Sequence, residues 1–435
     1  MIALANADSK HIPLADNTVQ CVVTSPPYWG LRDYGHEGQL GLEPTPDAYV
    51  ANMVQVFREA RRVLRHDGVL WLNLGDTYTA QGVPGLKPKD LVGIPWRVAF
   101  ALQADGWYLR ADNIWAKSCS GQRDYLTQVA LAAHEVGISH EQIAQLIDAL
   151  DLPVGTTMPE SVKDRTTKAH EYVFMLTKSD RYFYDGDAVK ESLGDYSRDA
   201  LAKAGGRLVP RSGDNFNKAA RKQGARTPST RADRAALLSG GRNLRSVWAI
   251  NPQPFNGAHF ATFPKALART CIEAGTPEVG VCPTCGAPPH RIIAKGDPLH
   301  AQRAASGADA NGGYLGTAQK DYAPTKAQDP SATKARILAG MVEKRTVAWY
   351  PSCVCAAALP PHPGPQPDAG SPDLPAWWEA VAAVQSFVAG MGLRPATVLD
   401  LFAGSGTAVA VADDLGREGL GIELNPDYAA LLETR

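Results

Sequence analysis

Length, composition and charge limit the class of protein. The chain has 435 residues, of which 44% are hydrophobic and 20% charged, a composition typical of globular proteins and not of fibrous or disordered ones. Lysine and arginine total 44 against 45 for aspartate and glutamate, so net charge indicates neither a nucleic-acid nor a membrane partner. The sequence contains no apolar run long enough to cross a membrane and no secretory signal at its start. We therefore expect a cytoplasmic protein with no membrane partner.

Short apolar runs alternate with helical patterns in the N-terminal part of the chain. The pattern predicts, in chain order, a strand at 18–23, a helix at 49–64, a strand at 68–74, a helix at 95–104, and strands at 112–116 and 171–177. A largely helical insertion at 118–157 separates the last two strands. Alternation of this kind predicts an α/β fold with a parallel sheet.

A strand, turn, helix and strand unit stands near the C-terminal end. It comprises a strand at 397–401, a Gly-rich turn at 402–407, a helix at 408–415 and a strand at 419–424. Gly404 and Gly406 permit a tight turn and close approach of the backbone to a ligand, and Glu423 at the tip of the second strand can accept both hydroxyls of a ribose. The unit predicts a nucleoside site, and an ordinary strand-to-helix turn is the alternative.

A second motif, Ser25-Pro-Pro-Tyr28, follows the first predicted strand. Two successive prolines fix the backbone and remove two donors, so the Ser25 hydroxyl and the Pro26 carbonyl become rigid acceptors that face one way. The ring of Tyr28 can stack on a base, and a heterocycle with an exocyclic amine suits this arrangement. The alternative is a Pro-rich strand end in which Tyr28 and Trp29 are merely packed.

The two motifs carry a family resemblance. Thr24-Ser-Pro-Pro-Tyr-Trp29 near the start of the chain and Phe402-Ala-Gly-Ser-Gly-Thr407 near its end resemble the circularly permuted, or beta-group, DNA amino-methyltransferases, and within them the cytosine-N4 branch. The resemblance extends over 1–117, 158–188, 243–275 and 397–435. It implies a Rossmann-like sheet built from both ends of the chain and site-specific methylation of the cytosine N4 amine in double-stranded DNA. It also implies S-adenosylmethionine as methyl donor, and a cognate restriction endonuclease as a partner in function only.

The resemblance implies the site residues as well. Ser25, Pro26, Pro27 and Tyr28 would act on the target base. The methyl donor would be bound by Asp8, His259, Phe260, Thr262, Phe263, Pro264, Asp400, Phe402, Ala403, Gly404, Ser405, Gly406, Thr407, Glu423 and Asn425. Ser25 and the Pro26 carbonyl would accept hydrogen bonds from the amine of an extruded cytosine, which frees its lone pair to attack the methyl group in line.

Other reactions and other classes of protein are alternatives. Adenine-N6 enzymes of the same group usually have Asp or Asn where Ser25 stands, although members with serine could act on adenine. A C5-cytosine enzyme needs a cysteine nucleophile, typically after a proline, and the chain has no Pro-Cys pair. Methylation of RNA or of a protein amide is a third reaction. A noncatalytic zinc-ribbon DNA-binding protein with a vestigial methyltransferase fold is the rival from a different class.

Four of the seven cysteines are clustered in the sequence. Cys282-Pro-Thr-Cys285 and Cys353-Val-Cys355 could supply four thiolates to a structural zinc ion, and Cys-x-x-Cys-Gly forms a tight knuckle. We therefore expect a zinc-ribbon-like insertion. The Cys-x-Cys spacing and the long separation of the two halves leave a disulfide and reduced, packed cysteines as alternatives.

Two further segments are candidates for contact with DNA. Segment 188–246 has 13 basic and 5 acidic residues, a net charge of +8. We expect it to recognise the DNA target, with Arg221, Lys222 and Arg226 as candidate contacts, and a solvated loop is the alternative. Within the helical insertion, the spacing around Gly137 fits a helix-turn-helix, and a plain helical hairpin is the alternative.

These expectations define an order of segments along the chain. They are the catalytic half (1–117), the helical insertion (118–157), the return to the catalytic core (158–187), the target-recognition segment (188–246), a cofactor-binding segment (247–280), the cysteine-containing insertion (281–359), a Pro-rich linker with a helix (360–396) and the Gly-rich cofactor unit (397–435).

Overall fold

A computed structural model describes residues 2–79, 82–83, 85–117, 162–191, 243–252, 264–298, 342–356, 359–426 and 428. The chain divides into two units: the first comprises Met1–Val189, Arg245–Pro289 and Gly392–Arg435, and the second Lys190–Leu244 and His290–Met391. Several predictions fall outside the described residues, namely those for the helical insertion, most of the basic segment with Arg221, Lys222 and Arg226, and His259, Phe260, Thr262 and Phe263.

The described residues form ten strands and five helices. The strands are β1 (Ile2–Asn6), β2 (Val19–Thr24), β3 (Leu64–Leu74), β4 (Tyr108–Ala116), β5 (His170–Thr177), β6 (Val247–Ala249), β7 (His290–Pro298), β8 (Val342–Tyr350), β9 (Thr397–Asp400) and β10 (Glu418–Glu423). The helices are α1 (Pro46–Val63), α2 (Ile94–Ala104), α3 (Lys265–Gly275), α4 (Leu374–Gly390) and α5 (Thr407–Asp414).

An eight-stranded sheet forms the centre of the first unit. Its strand order is β1-β10-β9-β2-β3-β5-β4-β6, so strands from the start and the end of the chain are neighbours. β2 pairs in parallel with β9, and Cys21 lies opposite Val398. The two ends of the sequence therefore form one continuous α/β layer.

The sheet is mostly parallel but not entirely so. Five of its seven strand pairs are parallel, whereas β5 is antiparallel to both β3 and β4. The prediction of a parallel sheet is therefore wrong at β5. Because β5 pairs with β4, the strand before it in the chain, the chain returns along its neighbour instead of crossing over. Apolar periodicity identifies a strand without indicating its direction.

Helix α1 shows how the sequence produces the elements of this unit. Thr45 accepts a hydrogen bond from the Ala48 amide at 3.2 Å, and Pro46 occupies the first turn. Every third or fourth side chain after that point is buried, including Tyr49, Met53 and Phe57. This apolar face packs against β3 and α2.

The second unit contains an antiparallel strand pair and a helix. β7 and β8 pair with each other, and α4 packs against β8. The buried cluster includes Ile292 and Ala348 of the strands and Trp377, Val381 and Val384 of the helix. The sequence predicts a helix in this part of the chain but not the two strands.

No helix among the described residues has both the length and the apolarity that a membrane crossing requires.

Candidate active site

The carboxyl ends of three neighbouring parallel strands meet at one edge of the sheet. β10, β9 and β2 are consecutive in the strand order, and they end at Glu423, Asp400 and Thr24. The Thr24 hydroxyl donates to Asp400 Oδ1 at 2.7 Å, and the Leu401 amide donates to Thr24 Oγ1 at 3.2 Å. These bonds hold the segment after β2 against the turn after β9.

Asp400 is buried beneath this junction, with 2% of its surface exposed. Burial raises its pKa from 3.8 to about 7, while hydrogen bonds from Thr24 and from the Phe402 amide oppose the shift. Asp400 therefore titrates near neutral pH while it ties β2 to the Gly-rich turn.

The Gly-rich turn has the geometry that its glycines predict. Gly404 and Gly406 have φ angles of 50° and 74°, a region that residues with side chains rarely adopt. The Gly406 amide donates to the Ala403 carbonyl at 2.6 Å, and α5 begins at the next residue. The Gly404 amide donates to Glu423 Oε2 at 2.8 Å, and the Asn425 amide to Glu423 Oε1 at 2.9 Å. The turn and the acid thus form one unit.

One cavity beside these strand ends is lined by residues from both ends of the chain. Among the residues predicted from the sequence, the lining includes Asp8, Ser25, Pro27, Phe402, Glu423 and Asn425. Residues of the segment 34–40 and Tyr428 also line it, and the sequence analysis did not predict them. Pro264 lies elsewhere, at the N-terminus of α3, and Ser405 and Thr407 are buried in the turn and the start of α5.

The segment Ser25 to Tyr28 offers two hydrogen-bond acceptors beside the cavity. The Pro27 carbonyl accepts from the Tyr49 hydroxyl at 2.8 Å, whereas the Pro26 carbonyl accepts no hydrogen bond from the described part of the chain. The Ser25 hydroxyl donates its proton towards the Tyr28 oxygen at 3.4 Å, so its lone pairs remain available. Trp29 is the packed ring of this motif, with 8% of its surface exposed.

A polar network behind Tyr28 was not predicted as part of the site. The Tyr28 hydroxyl donates to Glu171 Oε2 at 2.6 Å, and the Asn73 side-chain amide donates to the same oxygen at 3.0 Å. The Lys117 ammonium group pairs with Glu171 Oε1. Burial of the Tyr28 hydroxyl and the charge of Glu171 raise the pKa of Tyr28 above its ordinary value. Asn73 and Glu171 are polar residues within largely apolar strands, and this pattern was the available sequence signal for the network.

The clustered cysteines belong to different units. In the first unit, the Gly286 amide donates to the Cys282 carbonyl at 2.9 Å, and Gly286 has a φ of 71°, so Cys282 to Gly286 forms the expected knuckle. Cys353 and Cys355 follow β8 in the second unit. The six described cysteines form no disulfide.

Comparison with known proteins identifies the family. The profile of the family described as DNA methylase, which covers the N6 and N4 enzymes, matches residues 19–282 and 394–434. The Type II methyltransferase M.SmaI of Serratia marcescens is 37% identical over 277 residues, which are 59% of this chain and 68% of that protein. M.Cfr9I of Citrobacter freundii is 39% identical over 285 residues, 60% of this chain and 68% of that protein.

The solved structures overlap with this chain only loosely. The PvuII DNA methyltransferase (cytosine-N4-specific) has a TM-score of 0.39 and 12% identity, with 99% of this chain and 85% of that chain covered. An overlap of this size does not bear on the activity of this chain. The sequence matches do bear on it. The fold is α/β, and the chain belongs to the N6/N4 DNA methyltransferase family.

The raised pKa of Asp400 predicts a pH-dependent contribution to stability. Because the folded-state pKa lies above the ordinary value of 3.8, the folded protein binds more protons than the unfolded chain between about pH 4 and 7, and stability conferred at low pH is lost as pH rises through this window. Asp400→Asn removes the effect. We expect the free energy of unfolding of the wild type, minus that of the variant, to decrease from pH 4 to pH 7 in urea titrations.

Asp164 provides the control for this measurement. Its exposed carboxylate pairs with Lys89 at 2.7 Å, which lowers its pKa, so the corresponding difference for Asp164→Asn should not decrease over the same range. A flat difference for Asp400→Asn would contradict the assigned environment of Asp400.

Proposed function

We propose that this protein is a site-specific DNA methyltransferase that transfers a methyl group from S-adenosylmethionine to the N4 amine of a cytosine turned out of the double helix. The proposal rests on one cavity that is lined by Ser25 and Pro27, near the start of the chain, and by Phe402 and Glu423, near its end. Two relatives are named Type II methyltransferases, which supports a role in DNA modification alongside a cognate restriction endonuclease.

The cavity has donors and acceptors that fit a nucleoside. The Glu423 carboxylate is fixed by the Gly404 and Asn425 amides, and each of its oxygens has a further lone pair for a ribose hydroxyl. The Phe402 ring and Asp8 also line the cavity. We assign them to the adenosine part of the methyl donor. The assignment of His259, Phe260, Thr262 and Phe263 to the same ligand rests on the family resemblance alone.

The acceptors after β2 provide the chemistry at the target amine. S-adenosylmethionine supplies an electrophilic methyl group when it is bound. Ser25 Oγ and the Pro26 carbonyl accept hydrogen bonds from the amine, which draws its lone pair out of conjugation with the ring. Transfer of that methyl group to the amine nitrogen would leave the donor as neutral S-adenosylhomocysteine, and the proton displaced from the nitrogen would pass to solvent. Tyr28 supplies the ring on which the extruded base stacks.

The choice of cytosine over adenine rests on Ser25. A serine hydroxyl at this position is the pattern of the cytosine-N4 branch, whereas adenine-N6 members usually have Asp or Asn there. The order of the two motifs, with Ser25 to Tyr28 before the Gly-rich turn, supports assignment to the circularly permuted group. We assign target recognition to segment 188–246, with Arg221, Lys222 and Arg226 as candidate contacts, on the grounds of its charge.

A structural zinc ion fits the chemistry of the four clustered cysteines. Thiolates are preferred zinc ligands, and the hydrogen bond from the Gly286 amide to the Cys282 carbonyl closes the tight turn that carries Cys282 and Cys285. We propose that Cys282, Cys285, Cys353 and Cys355 bind one zinc ion that stabilises the insertion. Four protein ligands would fill the coordination sphere, which gives the ion a structural role.

The direct test of the proposed reaction identifies the methylated nucleoside. Purified protein is incubated with tritium-labelled S-adenosylmethionine and plasmid DNA, and the digested DNA is analysed by mass spectrometry. We expect N4-methylcytosine. N6-methyladenine would overturn the choice of base, and absence of transfer to DNA would overturn the function.

Two variants separate the chemical step from cofactor binding. Ser25→Ala removes an acceptor for the target amine, so the rate of transfer should fall by about 10²-fold or more with the Kd for S-adenosylmethionine nearly unchanged. Glu423→Ala should raise that Kd about ten- to a hundredfold, because a charge-assisted hydrogen bond contributes about 1.5–3 kcal/mol. Calorimetry and single-turnover kinetics give the two quantities. The reverse pattern would contradict both roles.

Metal analysis tests the cysteine assignment. Protein purified without a histidine tag should contain about one zinc ion per chain, and Cys285→Ser should lose it. Cys271→Ser is the matched control, because Cys271 is buried in α3 of the first unit and should retain the metal. A wild-type protein without zinc, with freely titratable thiols, would leave only packed cysteines.

A further inference from the structure

Glu171 lies at the centre of a nearly buried polar network and takes no direct part in the proposed reaction. Its side chain, near the start of β5, is 11% exposed. One of its oxygens accepts from Tyr28 at 2.6 Å and from Asn73 at 3.0 Å, and the other pairs with Lys117. Asn73 also donates to the Tyr172 carbonyl at 3.1 Å. The carboxylate is therefore held from three sides.

We infer that Glu171 is a positioning residue for methyl transfer: it fixes the Tyr28 hydroxyl and, through it, the side chain of Ser25. This inference rests on the proposed function and names a residue that the Ser-Pro-Pro-Tyr motif does not contain. Glu171 touches neither the target base nor the methyl donor in this assignment. It acts on the two side chains that do.

The direction of the Tyr28 hydroxyl proton explains how Glu171 affects Ser25. The Tyr28 hydroxyl has one proton, and the carboxylate at 2.6 Å is a closer and stronger acceptor than Asn73 Oδ1 at 3.2 Å. With this proton committed to Glu171, the Tyr28 oxygen can only accept, and the Ser25 hydroxyl is the donor that faces it at 3.4 Å. Ser25 then directs its lone pairs away from Tyr28. Those lone pairs are the acceptors that the target amine needs.

The position of the Tyr28 ring is also restricted by Gly75. A Cβ atom on Gly75 would lie 2.5 Å from Tyr28 Cε2, so the backbone at Gly75 is in close contact with the ring. This contact restricts the ring plane, and Glu171 fixes the hydroxyl end. Together the two constraints set the surface on which the extruded base would stack.

Lys117 is the third partner of the Glu171 carboxylate. Its ammonium group pairs with Glu171 Oε1 and lies 5.0 Å from the centre of the Trp115 ring. A charged acceptor forms a stronger bond to Tyr28 than a neutral one. Glu171→Gln should therefore weaken the network even though the side chain keeps its size, because the amide replaces an acceptor oxygen with a donor and loses the pairing with Lys117.

A double-mutant cycle tests the inference. Glu171→Gln and Tyr28→Phe should each lower the single-turnover rate by about tenfold or more, since small misplacements of reacting groups cost up to about 10²-fold. The double variant should be no slower than the slower single variant, because both changes break the same link. The Kd for S-adenosylmethionine should stay within about twofold of the wild type. Asp164→Asn, an exposed carboxylate paired with Lys89, is the control and should leave the rate unchanged.

Two kinetic results would overturn the inference. One is a wild-type rate for Glu171→Gln. The other is a double variant whose loss equals the product of the two single losses, because independent effects multiply. Either result, obtained with a wild-type protein that methylates DNA, leaves the proposed function intact and removes Glu171 from it.

A spectroscopic measurement tests the link between Glu171 and Tyr28 without an activity assay. 3-Fluorotyrosine is incorporated at position 28, and the ionisation of its phenol is followed by fluorine NMR. Since Glu171 raises the pKa of Tyr28, Glu171→Gln should lower the pKa of this phenol, and Asp164→Asn should not. If the wild type transfers no methyl group to DNA, the proposed function fails. An unchanged pKa in Glu171→Gln would show separately that Glu171 does not hold Tyr28.

Discussion

The hydrogen bond from Thr24 to Asp400 joins two strands whose ends are 376 positions apart in the chain. It stands where β2 and β9 are neighbours, and the Leu401 amide returns a second bond to Thr24. The Gly-rich turn begins one residue beyond that amide, and the Ser-Pro-Pro-Tyr segment begins one residue beyond Thr24. The cavity exists because this junction holds both segments at one edge of the sheet.

In the proposed function, nucleoside binding and methyl transfer belong to different strand ends of the sheet. On the side of β9 and β10, backbone amides fix the Glu423 carboxylate, which we propose binds a nucleoside. In the proposed function, the Pro26 carbonyl and Ser25 Oγ on the side of β2 are the acceptors for an amine. Asn73 of β3 and Glu171 of β5 bond to the Tyr28 hydroxyl, and Lys117, the residue after β4, pairs with Glu171. Membership of the DNA methyltransferase family is consistent with this division.

The sequence predicted the strands that local residue patterns identify. It missed the features that depend on contacts between distant segments of the chain. The strand at 397–401, the turn after it and Glu423 follow from glycine placement and apolar runs, and they are present as predicted. The reversed direction of β5 could not be predicted, because periodicity is the same for either direction. Glu171 was missed for a related reason: its importance comes from Tyr28 and Lys117, which lie 143 and 54 positions away.

In the proposed function, one cavity presents the methyl donor to the Ser25 to Tyr28 segment. A crystal structure with sinefungin is the direct test of this arrangement. In this analogue of S-adenosylmethionine, a carbon that bears an amine replaces the sulfur that bears the methyl group. We predict ribose hydroxyls on Glu423 and the amine directed at Ser25 and the Pro26 carbonyl. A ribose bound away from Glu423, or an amine directed away from Ser25, would contradict the account.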